Sequence, residues 1–157
     1  MRIAASISKF SALTIATGLY SGFFPIAPGT AGTVVGVGVA WLLRSSPLNV
    51  WITVLAILFV VGVWASHRAG QIFGIVDASH IVVDEIIGFL VTMIGIPITG
   101  YWLFWGFIFF RILDVIKFPP ANIFDEKVKN GFGVVMDDVA AGVYGNILLH
   151  LMWRASI

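Results

Sequence analysis

The chain has 157 residues, 59% of them hydrophobic and 11% charged, with a formal net charge of +1, and its mean hydropathy is +1.01. A soluble domain is about one quarter charged, so this composition excludes an ordinary soluble fold and reads as an integral membrane protein of one domain, residues 1–157. The net charge argues against a nucleic-acid binder, and the lack of cysteine excludes disulfides, thiolate metal sites and a cysteine nucleophile. His67, His80 and His150 are scattered without zinc-ligand spacing.

In chain order, residues 1–20 predict an amphipathic or partly inserted N-terminal helix: Arg2 and Lys9 precede an apolar stretch with no clear cleavage pattern. Pro25, Pro28 and Gly29 then interrupt the uncharged run, so helix is expected to resume near Thr30 and to end at Arg44. Val50 to Ser66 is an uncharged run of 17 residues, at the short end for a bilayer span. His67 to His80 reads as a polar connection.

Ile86 to Phe110 contains 25 uncharged residues broken by Gly95-Ile96-Pro97-Ile98-Thr99-Gly100. A kinked single span and a helical hairpin both fit this stretch, and spacing favours the hairpin. Asp84 lies 13 residues before Pro97 and Asp114 lies 14 after Gly100. Both are therefore about 20 Å from the turn at 1.5 Å per residue, at one depth and on one side. Residues 112–138 are the longest polar segment. They hold Lys117, Lys127 and Lys129, and the positive-inside bias places them in the cytoplasm. Val139 to Trp153 is a last apolar helix. The expected fold is all-α, an integral membrane bundle of about five short helices with a re-entrant or hairpin element.

All eight acidic residues fall between Asp77 and Asp138, several as adjacent pairs. Carboxylates bordering apolar spans are expensive, and a divalent cation would account for them. Asp84 and Glu85 open a helix, where the dipole favours negative charge. Gly88 shares a face with Asp84, which leaves room for an ion or a headgroup or, equally, serves helix packing. Asp138 and Gly142 repeat the Asp-x-x-x-Gly spacing, with Asp137 and Asp138 expected to start the last helix. Arg111, Asp114 and Lys117 recur every three positions on one side of a helix. The two cations suit phosphate oxygens, and Asp114 suits a metal or the orientation of Arg111. Thr30 and Thr33, after the Pro/Gly turn, suit phosphate at a helix N-terminus, or simply cap it. Lys129 opens the glycine turn before Asp137 and is counted with the phosphate ligands.

Four boxes together resemble the phosphatidylglycerophosphatase A family: Ala27-Pro28-Gly29-Thr30, Asp84-Glu85-x-x-Gly88, Arg111-x-x-Asp114-x-x-Lys117-x-Pro119, and Gly131-x-Gly133-x-x-x-Asp137-Asp138-x-x-Ala141-Gly142. The resemblance runs from about Gly22 to about Leu149. It implies a Mg²⁺-dependent bacterial inner-membrane enzyme, its site facing the cytoplasm, that removes the terminal phosphate of phosphatidylglycerophosphate to give phosphatidylglycerol. It carries Thr30, Asp84, Glu85, Arg111, Asp114, Lys117, Asp137 and Asp138 into the site. The expected metal ligands come from Asp84, Glu85, Asp114, Asp137 and Asp138, and the catalytic groups are Asp84, Glu85, Asp137 and Asp138. Attack by water, with Asp137 as a candidate base, and a covalent aspartyl-phosphate both fit. No role falls to Asp125, Glu126 or Lys127. The implied partners are an anionic phospholipid and the membrane. A small ion- or proton-coupled transporter and a non-enzymatic assembly factor are the competing classes.

Overall fold

The computed structural model describes residues 2–156, with side chains from Ile7 onward. Among the described residues there are seven α-helices and no strand. They are α1 (Arg2–Ala16), α2 (Pro28–Leu42), α3 (Leu48–Phe73), α4 (Val83–Thr92), α5 (Gly100–Ile116), α6 (Ala121–Lys127) and α7 (Gly131–Ala155), with a 3₁₀ turn at Ser21–Phe23. The five apolar segments of the sequence correspond to α2, α3, α4, α5 and α7. α1 falls within the N-terminal helix expected over residues 1–20, and the seven-residue α6 inside the long polar segment is the unexpected one.

Among the described residues, only α3 and α7 are long and apolar enough to cross a membrane. At 26 and 25 residues they measure about 39 and 37 Å. α3 outruns the expected 17-residue span. His67 and Arg68 do not stop it, because their side chains reach Gln71 one turn on, while Ala69 and Gly70 are buried. It stops at Gly74, whose φ of 74° is the left-handed conformation of a helix end. α7 also begins earlier than expected. Asn130 caps it by accepting from the amides of Phe132 and Gly133, so Asp137 and Asp138 lie in its second turn rather than at its start.

The hairpin is present. α4 and α5 are joined at residues 93–99, and this turn sits with the end of α2 and the start of α3, around Arg44, Trp51 and Pro97. α4 has ten residues, about 15 Å, too short to cross. It is instead the hub of the bundle, packed against α2, α3, α5 and α7, with nine of its ten residues buried. Phe89, Leu90 and Met93 anchor the main core with Phe110 of α5 and Leu149 of α7.

A helix that ends inside an apolar bundle leaves carbonyls without partners, which is costly away from water. α7 supplies them. Asn146 Nδ2 donates to the carbonyls of Thr92 (3.0 Å) and Ile94 (2.8 Å), and His150 Nε2 lies 3.1 Å from the Ile94 carbonyl. Where α4 crosses α7, glycine is mandatory on both sides. A Cβ on Gly142 would collide with the Gly88 carbonyl, and one on Gly88 would come within 2.6 Å of the Asp138 carbonyl and of the Phe110 ring. The room at Gly88 is thus filled by protein and is not space for an ion or headgroup. Its effect is to press α4 onto α7, which brings Asp84 and Asp138 together.

Candidate active site

A cavity of about 360 Å³ opens where the N-terminal ends of α2 and α4 meet the C-terminal end of α5 and the second turn of α7. Six carboxylates line it, those of Asp77, Asp84, Glu85, Asp114, Asp137 and Asp138, against two cations, Arg111 and Lys117. The start of α4 is held in place by the Val82 amide donating to the Ala16 carbonyl at 2.8 Å. The loop before α4 is tied to the 3₁₀ turn by His80 Nδ1, 3.0 Å from the Gly22 carbonyl.

Asp84, Glu85 and Asp138 form the inner cluster. Each offers a carboxylate oxygen, and these three oxygens lie within 4.8 Å of one another. Asp84 and Asp138 are 6% and 4% exposed. Glu85 Oε2 and Asp138 Oδ2 are buried with no hydrogen-bond partner. Buried carboxylates this close repel each other strongly unless a cation sits among them, and orphaned carboxylate oxygens are what a hard cation requires. The donor set is all oxygen, which suits Mg²⁺ rather than a thiolate- or imidazole-loving metal.

The outer residues are organised by ion pairs. Arg111 Nη1 lies 2.7 Å from Asp114 Oδ2 and 3.9 Å from Glu85 Oε1. Lys117 Nζ lies 2.7 Å from Asp137 Oδ2 and 3.1 Å from Asp125 Oδ1. The second oxygen of Asp137 accepts from the Asp138 amide at 2.9 Å. An ammonium has three donors, so Lys117 keeps one free for a ligand, and Arg111 keeps more. Burial disfavours the Lys117 ammonium, but the hydrogen bond and charge of Asp137, backed by Asp125, outweigh it, and its pKa lies above the ordinary lysine value. Protein crowding around Asp77 pushes its carboxyl above the usual value, against the pull of Lys117.

Eight residues taken from the sequence as site residues divide as follows. Asp84, Glu85, Asp114, Asp137, Asp138, Arg111 and Lys117 share the cavity. Thr30 does not: it lines a neighbouring apolar groove, while Ala27, Pro28 and Gly29 line the cavity. With 3.6 residues per turn, the position after Gly29 is rotated by about 100°, away from the acids. Thr33 is buried and its hydroxyl donates back to the Gly29 carbonyl at 2.9 Å. A ninth, Lys129, points elsewhere as well. Its Nζ donates to the Asp125 carbonyl at 2.6 Å, and it borders a separate pocket with His67, Gln71 and Asn130. Of the metal ligands expected, Asp114 and Asp137 stand outside the inner cluster, each bound to a cation.

Three contributors were missed. Asp77 and Ser79, in the stretch read as a polar connection, line the cavity. Asp125, given no role, is the second partner of Lys117. Gly29 is also specific, since a Cβ there would strike the Glu85 carboxylate and crowd Arg111 Nη1 at 3.2 Å. The sequence signal for Asp77 was its place seven residues before Asp84, at the edge of the acid-bearing region.

Residues 14–153 match the protein family described as Phosphatidylglycerophosphatase A. The chain belongs to the phosphatidylglycerophosphatase A family. It is 34% identical to the Phosphatidylglycerophosphatase A of Escherichia coli over 139 residues, 88% of this chain and 81% of that protein. It is 34% identical to the Haemophilus influenzae protein of the same name over 140 residues, 86% of this chain and 84% of that one. A Bacteroides thetaiotaomicron protein carrying the provisional name phosphatidylinositol-3-phosphatase is 38% identical over 150 residues, 90% of this chain and 92% of its own length. No solved structure matches the chain. Family membership, with two helices long and apolar enough to cross a bilayer, makes this a membrane protein.

Proposed function

We propose that this chain hydrolyses the terminal phosphate of phosphatidylglycerophosphate, giving phosphatidylglycerol and inorganic phosphate, at a Mg²⁺ site held by Asp84, Glu85 and Asp138. The observation that carries the chemistry is the buried three-carboxylate cluster, with its two unpartnered oxygens, in a cavity shared with Arg111 and Lys117. Family membership supports the substrate. Six carboxylates against two cations would repel a phosphate on their own, which is a second reason to place a divalent cation in the reading. Mg²⁺ bound there would supply Lewis-acid polarisation of the phosphoryl oxygens.

The chain's own residues do the rest. Arg111 and the free donor of Lys117 bind phosphate oxygens and offset their charge as the bond to the lipid oxygen breaks. Asp114 orients Arg111 and Asp137 orients Lys117. A water attacks phosphorus as its proton passes to a carboxylate, the bond to the lipid oxygen breaks, and that oxygen takes a proton from solvent to leave as the alcohol. Asp137 is a weak candidate for that base, because its two oxygens are occupied by Lys117 and the Asp138 amide. Asp77 lines the cavity wall with part of its side chain open to water, despite the crowding around its carboxyl, and is the better one. The clustered lysines of residues 112–138 favour a cytoplasm-facing site at the inner membrane.

The test is phosphate release from phosphatidylglycerophosphate with and without Mg²⁺. Asp84→Asn and Asp138→Asn each should lower it by about a hundredfold or more while the protein still inserts. Near-normal release by both variants would remove this site. Given the Bacteroides relative's name, a phosphatidylinositol phosphate run alongside fixes which headgroup the chain prefers.

A further inference from the structure

The apolar groove beside the cavity is unused by the phosphate chemistry. It measures about 390 Å³ and is lined by Phe24, Ile26, Thr30, Ala31, Val34 and Val35, among others. Ala27 belongs to both the groove and the acidic cavity. The first turn of α2 is therefore a partition. Pro28 and Gly29 face the carboxylates and Arg111, while Thr30 and Ala31 face the apolar side. Phe24, Ile26 and Val34 are 59%, 77% and 57% exposed. Polar and apolar walls meeting at one residue form a site for an amphiphile, with its phosphate on one side of Ala27 and its hydrocarbon on the other.

A second apolar groove, lined by Leu113, Phe118, Pro119, Tyr144, Ile147 and Leu148, shares no lining residue with the cavity. Continuity thus selects the α2 groove. Resting on the lipid-phosphatase reading above, we propose that the α2 groove binds one acyl chain of the lipid whose phosphate occupies the acidic cavity. Chain contacts there hold the headgroup in register with Arg111 and Lys117. They make the enzyme prefer long-chain over short-chain substrates, because each methylene buried adds to binding.

The experiment has two arms. In the first, kcat/KM is measured for dioleoyl and dihexanoyl phosphatidylglycerophosphate in mixed micelles. Val34→Trp, which fills the groove, should lower the long-to-short ratio by about tenfold, the loss of a few buried methylenes, and Ala31→Leu should lower it less. In the second, the unaltered protein is photolabelled with a phosphatidylglycerophosphate carrying a diazirine near the carboxyl end of one acyl chain. Adducts should map to residues 24–35 and be suppressed by unlabelled substrate but not by phosphatidylcholine. An unchanged ratio, adducts confined to the outer faces of α3 and α5, or a groove buried against a second copy of the chain would each overturn the groove. Absence of phosphate release by the unaltered protein from either lipid would instead overturn the lipid-phosphatase reading, and the groove with it.

Discussion

At the scale of single residues, adjacency in sequence does not mean a shared task. Asp137 and Asp138 are neighbours on α7, yet one faces Lys117 and the other joins Asp84 and Glu85. Helical rotation of about 100° per residue separates them. The mutants should separate too. Asp77→Asn should lower kcat by about a hundredfold with KM little changed, as loss of a general base does. Asp137→Asn should mainly raise KM, through a misplaced Lys117. Steady-state kinetics of the two variants reads the difference, and a KM-only effect at Asp77 would refute the base assignment. Lys117 itself introduces no pH dependence near neutrality. Its pKa is raised in the folded protein, so its stabilising contribution is fully present below the ordinary value of 10.5 and is lost only as pH rises through the higher folded value.

Thr30 and Lys129 show the limit of motif reading at this scale. Both residue types suit a phosphate, and both lie close in sequence to cavity residues. What decides is the phase of a helix that starts at Pro28 and a backbone carbonyl at Asp125 that captures the lysine. Neither can be read from residue type. Asp77 escaped for the opposite reason: a lone acid in a polar loop carries no local pattern, and only the return of the chain to α4 brings it to the cavity.

At the scale of elements, the hairpin was legible because equal spacing of Asp84 and Asp114 from the turn is a geometric constraint. The structure meets that constraint with Glu85 3.9 Å from Arg111. Helix ends were less legible. α3 runs to Phe73 and α7 starts at Gly131, because tertiary packing of Ala69, Gly70 and Val134 outweighs the polar residues between them. The α4–α7 crossing supports the site mechanically. Gly142→Leu should cost about 3 kcal/mol or more by overpacking against the Gly88 carbonyl, and should pull Asp138 away from Asp84. Asn146→Leu leaves the Thr92 carbonyl without its donor, at about 1–3 kcal/mol, while the Ile94 carbonyl keeps His150. Thermal unfolding in detergent measures both, and a wild-type midpoint for Asn146→Leu would show that the Thr92 carbonyl finds another partner.

At the scale of the whole molecule, a cluster of buried acids means the apoprotein folds against its own repulsion. A divalent cation should therefore stabilise the protein as well as activate it. At a hundredfold excess over its dissociation constant, Mg²⁺ should add about 2.7 kcal/mol, which raises the unfolding midpoint by several degrees. Asp138→Asn should abolish most of that increment, and EDTA should reverse it. A midpoint indifferent to Mg²⁺ would mean the carboxylates are not its ligands. This readout needs no substrate and so is independent of the catalytic assay.

The hairpin also governs what happens to the products. Below Asp84 and Asp138 the bundle is shut by Gly88, Phe89 and Phe110, all buried and tightly packed. The cavity thus opens on the side where α4 begins and α5 ends. Water should enter and the freed orthophosphate should leave through that opening. The same packing beneath the acids sets them at the blind end of a cavity instead of along a path through the bundle, which is the arrangement of a phosphatase and not of an ion carrier.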